Sequence, residues 1–254
     1  MFGFFKSTCP IHDDAKWWVD DRMSWLADQF GWQRMYDVPV VTPAREHFPE
    51  QYSPSEKYLR QVLVRFCDQM GIDSRRVRLK TYADSTPVAE QSTGLNTFRR
   101  TATGRFEQEG QWFNVWLNRE TLIDPPSVAA TITHELAHVL LLGENRITDE
   151  CEDHEPLTDL LTVFLGVGIF NANAVVRDLT IRVGTYEAWS IGKQGYLTMP
   201  IFGYALAYFA YARGEQKPQW AKHLRLDVRV PFWQSLRYLR KTGDCTAKVN
   251  PKSA

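Results

Sequence analysis

The 254-residue sequence predicts an α+β fold, mainly helical, with a small β-sheet ahead of one apolar helix. Two stretches before residue 75 carry apolar residues at helical spacing. Residues 111–118 alternate Trp112, Asn114, Trp116 and Asn118 with Phe113, Val115 and Leu117, the period of a strand. After Asp124-Pro125-Pro126 the pattern turns helical and stays so. Helices, a short β region and a helical remainder do not make alternating βαβ units.

The first helix is expected over residues 13–30, where Trp17, Trp18, Met23, Trp25, Leu26 and Phe30 recur among charges and Gly31 stops the run. The three tryptophans are read first as helical core and second as a partner-binding patch. A connection holding Pro39, Pro43, Pro49 and Pro54 follows. Ser55 can cap a second helix reaching Met70, with Leu59, Val62, Leu63 and Phe66 on one face and Gly71 as its end. Residues 77–82 read as a short strand, and the polar Gly/Thr/Arg stretch before residue 111 has room for another hairpin. Beyond Pro126 we expect one helix over 127–142 ended by Gly143, then others over 155–170, 199–213 and 230–241. The division expected is an N-terminal helical region, 1–75, packed on the same domain as a core over 76–254.

Composition narrows the function classes. Thirty basic and thirty acidic side chains cancel, so nothing in the balance favours nucleic acid or an anionic membrane. Cys9, Cys67, Cys151 and Cys245 are scattered with no pair at CxxC spacing, which is no disulfide framework for a chain of this length. The opening residues, interrupted by Lys6 and Pro10, lack the pattern of a secretory signal. No run reaches the roughly 18 apolar residues of a membrane span. The expectation is a soluble, cytoplasmic protein.

The sharpest chemical feature is His134-Glu135-Leu136-Ala137-His138. Residues four apart share a helix face, so both imidazoles can meet one ion, and Glu135 beside it can accept a proton from metal-activated water. Val128, Ile132, Leu136, Val139 and Leu140 make the helix apolar, and ionisable groups there are costly unless paired or liganded. A third ligand from the same segment is not available, because Leu141 and Glu144 stand where HExxHxxGxxH needs Gly and His. Downstream, Glu155-Pro-Leu-Thr-Asp159 opens the next helix with two acids on one side. Glu155 can complete the coordination and Asp159 can accept a ring N–H of a ligand histidine.

These five residues resemble the gluzincin branch of zincin metallopeptidases, in which HExxH lies on one helix and ExxxD on the next. His134, Glu135, His138, Glu155 and Asp159 match that pattern position for position, and the resemblance covers residues 111–170. It implies Zn²⁺ held by His134, His138 and Glu155, Glu135 as general base, Asp159 as orienting acid, and a peptide or protein substrate. It also implies that the strand at 111–118 is the edge along which an extended peptide aligns.

Several alternatives stay open. Residues 144–159 hold seven acids against one base, Arg146, so His154, Glu152 and Asp153 rival Glu155, with His154 second in rank. For Glu150, Glu152 and Asp153 the plainer reading is a solvated loop placing negative charge at a helix N-terminus. An oxyanion donor is sought among Tyr186, Tyr196, Tyr204 and His223, with Tyr196 placed first as the residue in a loop-like stretch. The same site can serve a regulator that captures or clips one partner protein, with little general peptidase activity. A closed structural zinc with Cys151 or His154 as fourth ligand ranks lower. Residues 217–241 carry seven basic side chains against Asp227, interleaved with aromatics. That stretch can grip phosphates, but zero net charge favours the plainer reading that it balances the acidic segment at 144–159 or lies as a solvated helix face.

Overall fold

The structure, a computed structural model, describes residues 8–48, 50–83, 104–182 and 197–253. It is α+β and mainly helical, as expected. Along the chain run α1 (Asp13–Phe30), α2 (Trp32–Asp37), α3 (Glu56–Met70), β1 (Val77–Tyr82), β2 (Gly104–Glu109), β3 (Trp112–Asn118) and α4 (Pro125–His138). A π turn, Val139–Gly143, extends α4. Then come α5 (His154–Phe164), α6 (Gly168–Arg182), α7 (Met199–Ala212) and α8 (Leu226–Thr242). None of these helices is long and apolar enough to cross a membrane.

The chain forms two compact units, one of residues 51–146 and one that joins residues 1–50 to residues 147–254. The expected boundary at 75/76 falls instead inside the first of these, between α3 and β1.

In the unit 51–146, Ser55 caps α3 by accepting the Tyr58 N–H, and Gly71 closes the helix. The apolar face foreseen there, Leu59, Val62, Leu63 and Phe66, is buried. The sheet runs β1-β3-β2, with β1 parallel and β2 antiparallel to β3. This corrects the expectation that residues 111–118 form an edge. β3 is the central strand, with Phe113, Val115 and Leu117 buried, and both of its backbone edges are used by neighbours. Among the described residues the outer strands are β1 and β2, and the further hairpin expected before residue 111 falls largely on residues 84–103, outside those described. Asp124 caps α4 through the Ser127 N–H, the two prolines occupy its first turn, and every residue from Val128 to His138 is buried as α4 packs on α3, β2 and β3.

The single helix expected over 127–142 is interrupted after His138, where i→i+5 geometry takes over. Gly143 ends that turn against Phe113, and a Cβ at 143 would lie 2.6 Å from the ring. The expected helix over 155–170 also breaks. Gly166 adopts φ 75°, and Val167 N–H reaches back to Thr162 O at 2.9 Å, ending α5 so that α6 can start at Gly168.

In the other unit α7 is the central helix, buried nearly all round and packed by α1, α5, α6 and α8. Gly203 permits the closest approach, since a Cβ there would meet the Phe232 backbone nitrogen at 2.9 Å. On α1, Val19, Met23 and Leu26 face inward, whereas Trp17 is exposed and Trp18 and Trp25 are half-buried. Beneath them Asp20, buried, receives Tyr204 Oη at 2.8 Å and Lys16 Nζ at 2.9 Å.

Candidate metal centre

Buried α4 presents His134 and His138 on successive turns, with Glu135 next to the first. The two imidazoles stand edge to face with centroids 4.8 Å apart, and their Nε2 atoms approach to 3.2 Å. Two ring nitrogens aimed at one point are the arrangement that four-residue spacing predicts. Phe106 of β2 stacks on His138, with ring centroids 6.2 Å apart, so β2 reaches that imidazole. The three residues are 3–7% exposed, which makes pairing or liganding of their polar atoms an energetic requirement.

In the unit carrying α5, Glu155 lies in the helix's first turn behind Asp153. Asp153 is not a solvated loop acid. Arg22 grips it through Nε at 2.6 Å and Nη2 at 3.0 Å, and Trp18 donates its indole N–H at 2.8 Å. Burial would raise the Asp153 pKa, but the hydrogen bonds from Arg22, Cys151 and Trp18 outweigh it and hold the carboxyl below its ordinary value. His154 turns Nδ1 to Cys151 O at 2.8 Å and Nε2 to Glu155 Oε1 at 3.4 Å. Cys151 donates its thiol to Asp153. Asp159 Oδ2 accepts the Leu197 N–H at 3.1 Å, tying the start of the α7 segment to α5.

One group of metal-ligating atoms emerges among the described residues. Ligand atoms of His134, His138 and Glu155 all lie within 4.8 Å of one another. The group could hold a metal ion: two imidazoles and one carboxylate suit Zn²⁺ or another first-row divalent ion, and three protein ligands leave positions open for water. Of the residues singled out from the sequence, these three are brought together, and His154 and Cys151 are outside the group. Tyr196 and Tyr186 lie outside the described residues. Tyr204 is withdrawn as an oxyanion donor, because it is fully buried and its hydroxyl is given to Asp20. His223 sits in a short turn before α8, its pKa lowered by partial burial and by Lys222.

The Arg22 and Trp18 grip on Asp153 escaped the sequence reading. Its signal is weak but present: the two residues are four apart on α1 and so share a face.

Comparison of the chain with protein-family models, with curated proteins and with solved structures returned no match.

Proposed function

We propose that the chain is a zinc-dependent hydrolase of peptide bonds. The observation that supports this is the convergence of His134, His138 and Glu155 beside a glutamate, Glu135, one residue on from the first histidine and 3% exposed. Zinc bound there would supply an acidified water and a Lewis acid for the scissile carbonyl. Glu135 takes the proton from the attacking water and returns it to the leaving amine. Asp159 receives a ring N–H of a ligand histidine and keeps that imidazole in the tautomer that leaves its other nitrogen for the ion. The alignment of an extended peptide, expected of residues 111–118, passes in this reading to β2, an outer strand of the sheet whose Phe106 stacks on His138.

The test is zinc content per chain by elemental analysis, with hydrolysis of a mixed peptide library, on wild type, Glu155→Ala and Glu135→Gln. About one zinc in wild type and in Glu135→Gln, much less in Glu155→Ala, and hydrolysis reduced by roughly 10²–10⁴ in Glu135→Gln are expected. Wild-type turnover in Glu135→Gln would refute the role of that residue. No zinc in wild type after reconstitution would remove the proposal altogether.

A further inference from the structure

The basic stretch of residues 217–241 folds into a cationic groove. Arg229, Trp233, Arg237 and Arg240 recur at intervals of four, four and three along α8 and line one wall, while Lys217 and Lys222 line the other. The groove has a volume of ≈ 730 Å³ and opens to solvent. Its helical wall, from residue 229 to 240, is about 16 Å long at 1.5 Å per residue.

Among the described residues, none of the five cations has a carboxylate within ion-pairing distance. The two acids nearest in sequence are already engaged: Glu215 accepts from Arg213 Nε at 2.6 Å and Trp220 Nε1 at 2.8 Å, and Asp227 pairs with Arg225 at 3.1 Å. The protein partners of Arg240 are the carbonyls of Glu215 and Gln216, and Arg229 reaches the carbonyl of Lys222. Neutralisation of the acidic segment at 144–159, one of the two plainer expectations, is therefore not what these five side chains do; the other, a solvated helix face, is what the binding test below decides against. Among the described residues these five cations have no carboxylate partner, and a groove so lined presents positive potential to an anion.

We propose that this groove binds single-stranded nucleic acid, its phosphates lying between the lysine and arginine walls and a base stacking on Trp233. Three arginines suit phosphate oxygens, which a guanidinium meets with two parallel N–H donors. The half-buried indole among them offers a π-face that an acidic peptide would not need. An anionic membrane is a poorer fit. The exposed aliphatics of α8, Leu226 and Val230, lie outside the groove lining, and two such side chains give little to insert.

The test is fluorescence anisotropy of a labelled ten-residue oligothymidine with the full chain at 50 and 200 mM salt. With about four phosphates neutralised, affinity should fall on the order of fiftyfold across that range. Arg229→Glu/Arg237→Glu, both at exposed or half-exposed positions, should roughly halve the salt slope and abolish most binding at 200 mM salt. Trp233→Leu should weaken binding on the order of tenfold with the slope unchanged. Arg75→Glu, an exposed site far along the chain that pairs with Asp73, should leave affinity as in wild type. Circular dichroism and melting of each variant keep lost binding separate from lost folding. The proposal is overturned if the oligonucleotide fails to bind at 50 mM salt, or if it binds equally to a folded Arg229→Glu/Arg237→Glu variant. It is equally overturned if a polyglutamate peptide or phosphatidylserine vesicles engage these residues and the oligonucleotide does not.

Discussion

Arg22→Met removes a guanidinium from the carboxylate that starts α5, leaving an apolar stem of similar length. Asp153 then keeps the Trp18 indole and the Cys151 thiol as donors and loses two charge-assisted bonds, at 2.6 and 3.0 Å. Hydrogen bonds to a charged group contribute roughly 1.5–3 kcal/mol, and two from one planar fork are not additive. The side chains are 29% and 19% exposed, so water replaces part of what is lost. We expect a loss of about 2 kcal/mol at pH 7, measured by urea unfolding. The pH dependence supplies the sharper check. A carboxyl whose folded pKa is depressed adds stability above its unfolded value, ordinarily 3.8, and loses it as pH falls through the lower folded value. The gap between wild type and variant should therefore be full at pH 7 and narrow below about pH 3.8. A gap that is constant from pH 7 to pH 3, or one below roughly 0.5 kcal/mol at pH 7, would refute the assignment of this grip as an electrostatic anchor. Because Asp153 stands two residues before Glu155, the same variant should release metal faster on dialysis against a chelator.

Tyr204→Phe acts on Asp20, whose pKa is already raised because burial outweighs the hydrogen bonds from Lys16 and Tyr204. Loss of a donor to the buried carboxylate should cost about 2 kcal/mol at pH 7. A raised carboxyl favours the folded state on protonation, so this penalty should shrink as pH falls through the raised value toward 3.8, and urea titrations from pH 7 to pH 4 check the direction. Gly143→Ala pushes a methyl to 2.6 Å from the ring of Phe113, itself 2% exposed, and should destabilise by about 1–3 kcal/mol in thermal melts. The double variant Gly143→Ala/Phe113→Leu should recover part of that loss, and an additive result would disprove the steric cause. His134→Ala should abolish metal retention, read by elemental analysis after desalting.

Local chemistry made the helix starts readable. Ser55 caps where its side chain and following residues say it should, because a cap is settled within four residues, whereas α4 starts at Pro125, two residues ahead of the start expected at 127, with Asp124 as a cap the reading did not name. The interruptions were not readable for the opposite reason. Gly143 as the end of the run was read from sequence, but Val139-Leu140-Leu141-Leu142 continues an apolar helical pattern without a break, so nothing local marks the change to i→i+5 geometry after His138. The rank of β3 in the sheet was hidden likewise, since alternation identifies a strand without naming its neighbours, and residues 104–109 carry almost no alternation of their own. Of the candidate site, the histidine pair and Glu155 follow from spacings of four on single helices. The Asp153 grip depends on contacts 131 and 135 residues apart, which no local pattern encodes.

The unit built from residues 1–50 and 147–254 has a consequence for biosynthesis. On the ribosome, α1 emerges carrying the inward face of Val19, Met23 and Leu26 with only the short α2 to pack on it, and its larger partners, α5 and α7, begin after residue 147. The 96 residues from 51 to 146 take roughly 5–20 s to translate at 5–20 residues per second. For that interval the nascent chain can fold residues 51–146 but must carry the apolar face of α1 without α5 and α7 to bury it. Translation speed through this middle segment, and the holdase capacity of the host, are thus variables that should set the yield of folded protein.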